Sequence, residues 1–203
     1  MSLSLSYKTP SLKIFVEFVQ NTAKLIHAFS GSGLYVFYNS ILPESEVFLK
    51  SILDRCEVKV YTVPGQVRHD ATRKAVLTRA DGIAFIADSQ ISESANNVES
   101  FENLEKNLAL VGIDIEKIPL VIQFNKRDLK DIVSEDEIHR TWEPTGIPVF
   151  MASALYGQGV IETFKRLVEL TYDYIDTRYS LKEKHMLTKE MFVDNLTKTV
   201  NSF

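Results

Sequence analysis

Residues 118–128 read IPLVIQFNKRD, and this stretch decides the fold. Leu120, Val121, Ile122 and Phe124 make a short apolar run, bounded by Pro119 before it and a polar turn after it. An apolar run without alternation is how a parallel strand buried on both faces reads. Asn125-Lys126-Arg127-Asp128 follows, an Asn-Lys-x-Asp sequence at the strand's C-terminal end. Open α/β sheets bind ligands at that end. The chemistry suits guanine: an Asp128 carboxylate can accept from the ring N–H and the exocyclic amine, a donor pair adenine lacks. The aliphatic stem of Lys126 can lie along a base plane, and Asn125 can tie neighbouring loops. Taken alone, these four residues read more simply as a strand followed by a solvated charged turn.

Two further matches change that balance. A second short apolar strand, residues 147–151, leads into Ala152-Ser153-Ala154-Leu155, so a Ser-Ala pair sits one strand after the first motif. Earlier, residues 58–63 run into Pro64-Gly65-Gln66. In this order the motifs resemble the Ras-like small GTPases, and in wording they resemble the bacterial MglA-like gliding-motility and polarity GTPases. The resemblance is carried by Tyr61-Thr62-Val63-Pro64-Gly65-Gln66-Val67, by Ala80-Asp81-Gly82 through Ala87-Asp88-Ser89-Gln90, and by residues 122–129. It spans residues 13–172. It implies a Ras-like P-loop-GTPase fold, α/β with a mostly parallel central sheet and helices on both faces. It also implies guanine binding by Asn125, Lys126, Asp128, Ser153 and Ala154.

The phosphate half of such a site is where the sequence departs. The first strand-to-helix turn should carry G-x-x-x-x-G-K-[ST], with glycines that let backbone N–H groups face the phosphates. The matching register is Phe18-Val19-Gln20-Asn21-Thr22-Ala23-Lys24-Leu25. Lys24 falls where the phosphate lysine would be, but Cβ atoms at Phe18 and Ala23 oppose the tight turn. Leu25 replaces the hydroxyl that would ligand Mg²⁺. An ordinary solvated helix lysine is the better reading of Lys24. Thr62 stands where many GTPases place an Asp; the MglA-like group resembles the chain in this. Val47 is the nearest register for a first-switch threonine. Gln66 matches the glutamine that orients the attacking water in related GTPases, and is otherwise a polar loop residue.

The remaining elements follow from periodicity and punctuation. Strands are expected over residues 12–18, 57–63 and 83–87, with a further strand over 34–38. Helices are expected over residues 20–29, from Pro43 and Glu44 to about Leu53, within 68–79, and over 92–111. In the last of these Val98, Phe101, Leu104, Leu108 and Val111 form one apolar face ended by Gly112. Ser134-Glu135-Asp136-Glu137 is a capping-box start for a helix to Trp142. A final helix covers 159–178, with Val160, Phe164, Leu167 and Val168 apolar. The domain is expected to end at residue 179, with 180–203 a C-terminal helical extension. Leu181, Met186, Leu187, Met191, Phe192, Leu196 and Val200 make it weakly amphipathic, suited either to packing on its own domain or to docking a partner.

Composition sets the outer bounds. With 203 residues and 45% apolar content, one sizeable core is the expectation. A net charge of −4 argues against a nucleic-acid binder driven by phosphate neutralisation. The single cysteine, Cys56, gives no disulfide framework and suits a buried thiol. No apolar run approaches a spanning helix, the first residues lack a signal-like core, Ser2 is not the glycine of myristoylation, and no prenylation box is present; a cytoplasmic protein is expected. His27, His69, His139 and His185 show no metal spacing, and no Gly-x-Ser-x-Gly elbow exists. Residues 182–189 mix charge signs and suit a solvated face.

The reading is a GTPase fold with its base half present and its phosphate half degraded, so no catalytic residue and no Mg²⁺ are expected, and GDP or GTP stays open as a ligand. From the resemblance comes a binding or scaffold role in bacterial motility or polarity, with a roadblock-type partner. Gln66, Arg68, Arg73 and Lys74 are the expected contacts. The alternatives are an active GTPase with an atypical phosphate loop, in which Gln66 is catalytic, and an adaptor that binds no nucleotide.

Overall fold

The computed structural model describes residues 11–18, 46–50, 57–64, 70–78, 80–185 and 187–198. Six strands form one sheet: β1 (Ser11–Phe18), β2 (Glu46–Lys50), β3 (Glu57–Pro64), β4 (Gly82–Asp88), β5 (Leu120–Asn125) and β6 (Val149–Met151). Their order is β2-β3-β1-β4-β5-β6. All pairings are parallel except β2 with β3, so only β2 runs against the rest. The helices are α1 (Asp70–Leu77), α2 (Ser94–Leu110), α3 (Glu135–Trp142), α4 (Val160–Tyr179), α5 (Leu181–His185) and α6 (Lys189–Lys198). Alternating strands and helices around a mostly parallel sheet is the Ras-like α/β architecture.

The two central strands explain the layering. Every residue of β4 and β5 is buried, and side chains alternate between the two sheet faces. Ile83, Phe85 and Ala87 join Leu120, Ile122 and Phe124 on one face, under Leu77, Leu104, Leu108 and Ile138 from α1, α2 and α3. Ala84, Ile86 and Val121 lie on the other, under Leu167, Val168 and Tyr172 of α4. That second face is completed by Leu181, Leu187, Phe192, Val193 and Leu196. The helices after Ser180 are therefore packed on their own domain, with Tyr172 donating from its hydroxyl to the Leu187 carbonyl at 2.5 Å. Met191 faces out, 43% exposed. Gly82 is fixed by packing: a Cβ there would collide with the Thr171 hydroxyl of α4.

Local signals held in several places. Ser134 caps α3, its hydroxyl accepting the Glu137 N–H at 3.3 Å. Gly112 ends the turn after α2 with a φ of 77°. Two expectations are overturned. The helix from Pro43 to about Leu53 is replaced across Glu46–Lys50 by β2, paired antiparallel with β3 through Val47 with Val60 and Leu49 with Val58. Proline followed by acidic residues signals a helix start, but the β-branched and aromatic Val47-Phe48 pair fits a strand, and pairing with β3 decides. Val98 leaves the apolar face of α2: it is 58% exposed, and the inner position beside it belongs to Asn97. The expected helix at 20–29, the expected strand at 34–38, Cys56, Met186 and Val200 lie outside the described residues.

Candidate functional site

β4, β5 and β6 end side by side, with Asp88 opposite Asn125 and Phe124 opposite Met151. Parallel strands put their C-terminal loops on one edge, and four chain segments meet there. Asn125 is buried, and its Oδ1 accepts the Ala154 N–H at 2.9 Å. The Ser153 hydroxyl donates to Asp128 Oδ1 at 2.5 Å. The Arg127 N–H donates to the Ala152 carbonyl at 3.0 Å, and the Arg127 guanidinium donates to the Val133 carbonyl at 2.6 Å. The five residues Asn125, Lys126, Asp128, Ser153 and Ala154 are thus brought into one constellation.

Each member has a local cause. Lys126 sits at the tight turn after β5 with a φ of 66°, left-handed backbone that a side chain resists. The turn is held by the Leu129 N–H donating to the Lys126 carbonyl at 3.1 Å. After β6 the chain folds back tightly: Ser153 and Gln158 exchange two backbone hydrogen bonds at 3.0 and 3.1 Å. Gly159 closes that loop with a φ of 73°, where a Cβ would strike the Met151 carbonyl. Ser153 and Ala154 are buried as a result, whereas Asp128 is exposed. The Ser153 hydroxyl occupies Asp128 Oδ1, and the other carboxylate oxygen has no hydrogen bond or ion pair among the described residues. That is the chemistry a guanine edge needs: a fixed, accessible acceptor beside a buried main-chain platform.

Reasoning from the sequence missed Asp88 as a part of this site. Lys126 Nζ lies 2.5 Å from Asp88 Oδ2, and the Asp88 side chain is only 1% exposed. Asp88 is itself immobilised. Its N–H donates to Asn97 Oδ1 at 3.0 Å, its carbonyl accepts from Asn97 Nδ2 at 2.8 Å, and its Oδ1 accepts the Gln90 N–H at 3.0 Å. The available signal was an acidic residue closing a wholly apolar strand, a position that demands a partner. Neighbouring Ser89 is fully buried, and its Oγ has no hydrogen-bond partner among the described residues.

Other expected residues fall elsewhere. Phe18 is the last residue of β1, beside Pro64 and Ile86, while Lys24, Gln66 and Arg68 lie outside the described residues. Arg73 and Lys74 are on α1. Thr62 is in β3. No group of three or more His, Cys, Asp or Glu suited to a metal occurs among the described residues. No described helix is long and apolar enough to cross a membrane. A cavity of about 850 Å³ opens at the opposite end of β5 and β6, between Phe101, Ile115, Pro144 and Tyr174.

This sheet order, with an Asn-Lys-x-Asp turn braced by a Ser-Ala loop, defines a small-GTPase-type domain. The chain belongs to the ADP-ribosylation factor (Arf) family, whose pattern matches residues 44–171. Across 111 residues it is 49% identical to the mutual gliding-motility protein MglA of Myxococcus xanthus. That alignment covers 55% of this chain and 57% of the relative, so the chain spans little more than half the length of the curated protein it matches.

Proposed function

We propose that this chain is an MglA-like protein that recognises guanine through Asn125, Lys126, Asp128, Ser153 and Ala154 but has lost the phosphate and Mg²⁺ half of the site. It is a pseudo-GTPase, acting in the cytoplasm as a nucleotide-insensitive binding or scaffold protein in bacterial motility or polarity. One observation carries the reading. The base-recognition turn is braced by the Ala154 N–H and the Ser153 hydroxyl, while the phosphate register has Phe18 and Ala23 for glycines and Leu25 for a hydroxyl. The similarity to a gliding-motility protein supports the cellular setting.

The residues fit the base of GDP or GTP better than its phosphates. Asp128 supplies the acceptor for the ring N–H and amine, and the Lys126 stem supplies a flat apolar wall. A helix N-terminus normally adds phosphate affinity, which a register without glycines forfeits. Binding then depends little on phosphate number. Gln66, Arg68, Arg73 and Lys74 form the docking surface for a roadblock-type partner. The domain runs to residue 179, and the extension after it braces the sheet through α5 and α6.

Titration calorimetry with guanosine, GDP and GTP, with and without Mg²⁺, tests this. Comparable affinities are expected, and GTP binding far tighter than guanosine would overturn the claim. The presence of Lys24 in the register of the phosphate lysine favours one second reading, a working GTPase with an atypical phosphate loop. Metal-dependent GTP turnover that is lost in Lys24→Ala would establish it.

A further inference from the structure

We propose that Asp88 is a positioning residue for the base site: it holds Lys126 in place before any ligand arrives, so that the lysine stem is a ready-made wall of the pocket. The proposal rests on the guanine reading above, and concerns a residue 38 positions earlier in the chain, on a different strand.

Three observations carry it. Lys126 Nζ meets Asp88 Oδ2 at 2.5 Å, and that carboxylate has 1% of its side chain exposed. A charge so excluded from water requires a partner, because removing one member of such a pair leaves the other uncompensated. Next, Asp88 cannot swing. The Asn97 carboxamide of α2 holds both its main-chain N–H and its carbonyl, and the Gln90 N–H holds Oδ1. Finally, the Lys126 backbone is fixed in a left-handed turn at φ 66°. Both ends of the lysine are therefore anchored, and its four methylenes stretch between them with 27% of the side chain open. An ammonium committed to Asp88 also contributes little to neutralising a phosphate.

Ordering a rotamer-rich side chain on binding costs about 0.5–1.5 kcal/mol. If Asp88 meets that cost in advance, its loss weakens every ligand that stacks on the stem, whatever edge Asp128 reads. The test compares wild type, Asp88→Asn, Asp88→Glu and Asp128→Ala for guanosine and inosine binding. Inosine keeps the ring N–H and lacks the exocyclic amine. Asp88→Asn should weaken both nucleosides by a common factor of about 2 to 12, with partial recovery in Asp88→Glu. Asp128→Ala should instead erase the preference for guanosine. A loss confined to guanosine in Asp88→Asn would make Asp88 a base contact and overturn the proposal.

A second measurement needs no nucleotide. Amine acylation mapped by mass spectrometry should find Lys126 slow to react in wild type relative to the exposed Lys130, and fast in Asp88→Asn. Equal rates for Lys126 and Lys130 in wild type overturn the proposal even if Asp88→Asn does not fold. If wild type binds neither nucleoside, the guanine reading fails, while the acylation rates still decide whether Asp88 holds the lysine.

Discussion

The Asn125 carboxamide and the Ala154 main chain, 29 residues apart, meet at 2.9 Å across the ends of β5 and β6. Asn125 is the last residue of a buried strand, and Ala154 opens the loop after the next one. The contact makes the loops that follow β5 and β6 a single unit. In Asn125→Ala the buried Ala154 N–H loses its acceptor, at a cost of about 1–3 kcal/mol. The urea midpoint should fall with an unchanged m-value, and guanosine affinity should fall with it. An unmoved midpoint would show that the contact is dispensable.

Phe192 and Met191 are adjacent on α6 and should behave oppositely. Phe192 is 2% exposed and its ring lies 5.5 Å from that of Tyr172, centroid to centroid. Replacing it with alanine should cost about 3–5 kcal/mol. Met191 is 43% exposed, and Met191→Ala should stay within about 0.5 kcal/mol. Chemical denaturation of the two variants measures the contrast. Equal effects would mean that α6 is not seated on α4 in solution.

The Tyr172 phenol gives the fold an alkaline limit. Its burial, together with Asp176, Glu190 and Asp173 around it, holds its pKa above the usual tyrosine value. A group whose pKa is raised on folding contributes fully below its unfolded value, about 10, and that contribution is lost as pH rises through the folded value. Wild type should therefore lose stability above about pH 10 more steeply than Tyr172→Phe. At neutral pH the variant should be weaker by about 1 kcal/mol, having lost the bond to the Leu187 carbonyl. Parallel pH dependences in urea melts of the two proteins would refute this account.

Partner docking should ignore nucleotide. A ligand that binds two states equally shifts neither, so affinity for a roadblock-type protein should be the same with and without excess GTP and Mg²⁺. Surface plasmon resonance with the purified pair measures it. A tenfold change, about 1.4 kcal/mol of coupling, would indicate a working switch. Charge reversal at Arg68, Arg73 and Lys74 should weaken docking without altering the circular dichroism spectrum; full binding would move the interface elsewhere.

What the sequence made legible follows its physics. β4 and β5 were readable because burial on both faces leaves an unbroken apolar run. The start of α3 was readable because Ser134 and Glu137 are local partners. β2 was not, because its stability comes from Val58 and Val60 on another strand, while its own flanking proline and acids point to a helix. The face of α2 was misjudged by one residue: Asn97 is turned inward by two hydrogen bonds to Asp88, and hydrophobic periodicity cannot register a buried amide. The Asn-Lys-x-Asp turn announced itself, but the carboxylate holding its lysine came from a strand 38 residues earlier. Non-local pairs of that kind leave no spacing to read.

The two faces of the sheet are closed by different stretches of the chain, and this orders events during synthesis. The face roofed by α1, α2 and α3 draws its apolar residues from Val76 to Met151 in sequence. The opposite face waits for Phe192, Val193 and Leu196. Because ribosomes add about 5–20 residues per second, the first face can be sealed seconds before the second has its last pieces. During that interval Ala84, Ile86 and Val121 belong to a half-roofed sheet, and the growing chain is open to chaperones on one side only.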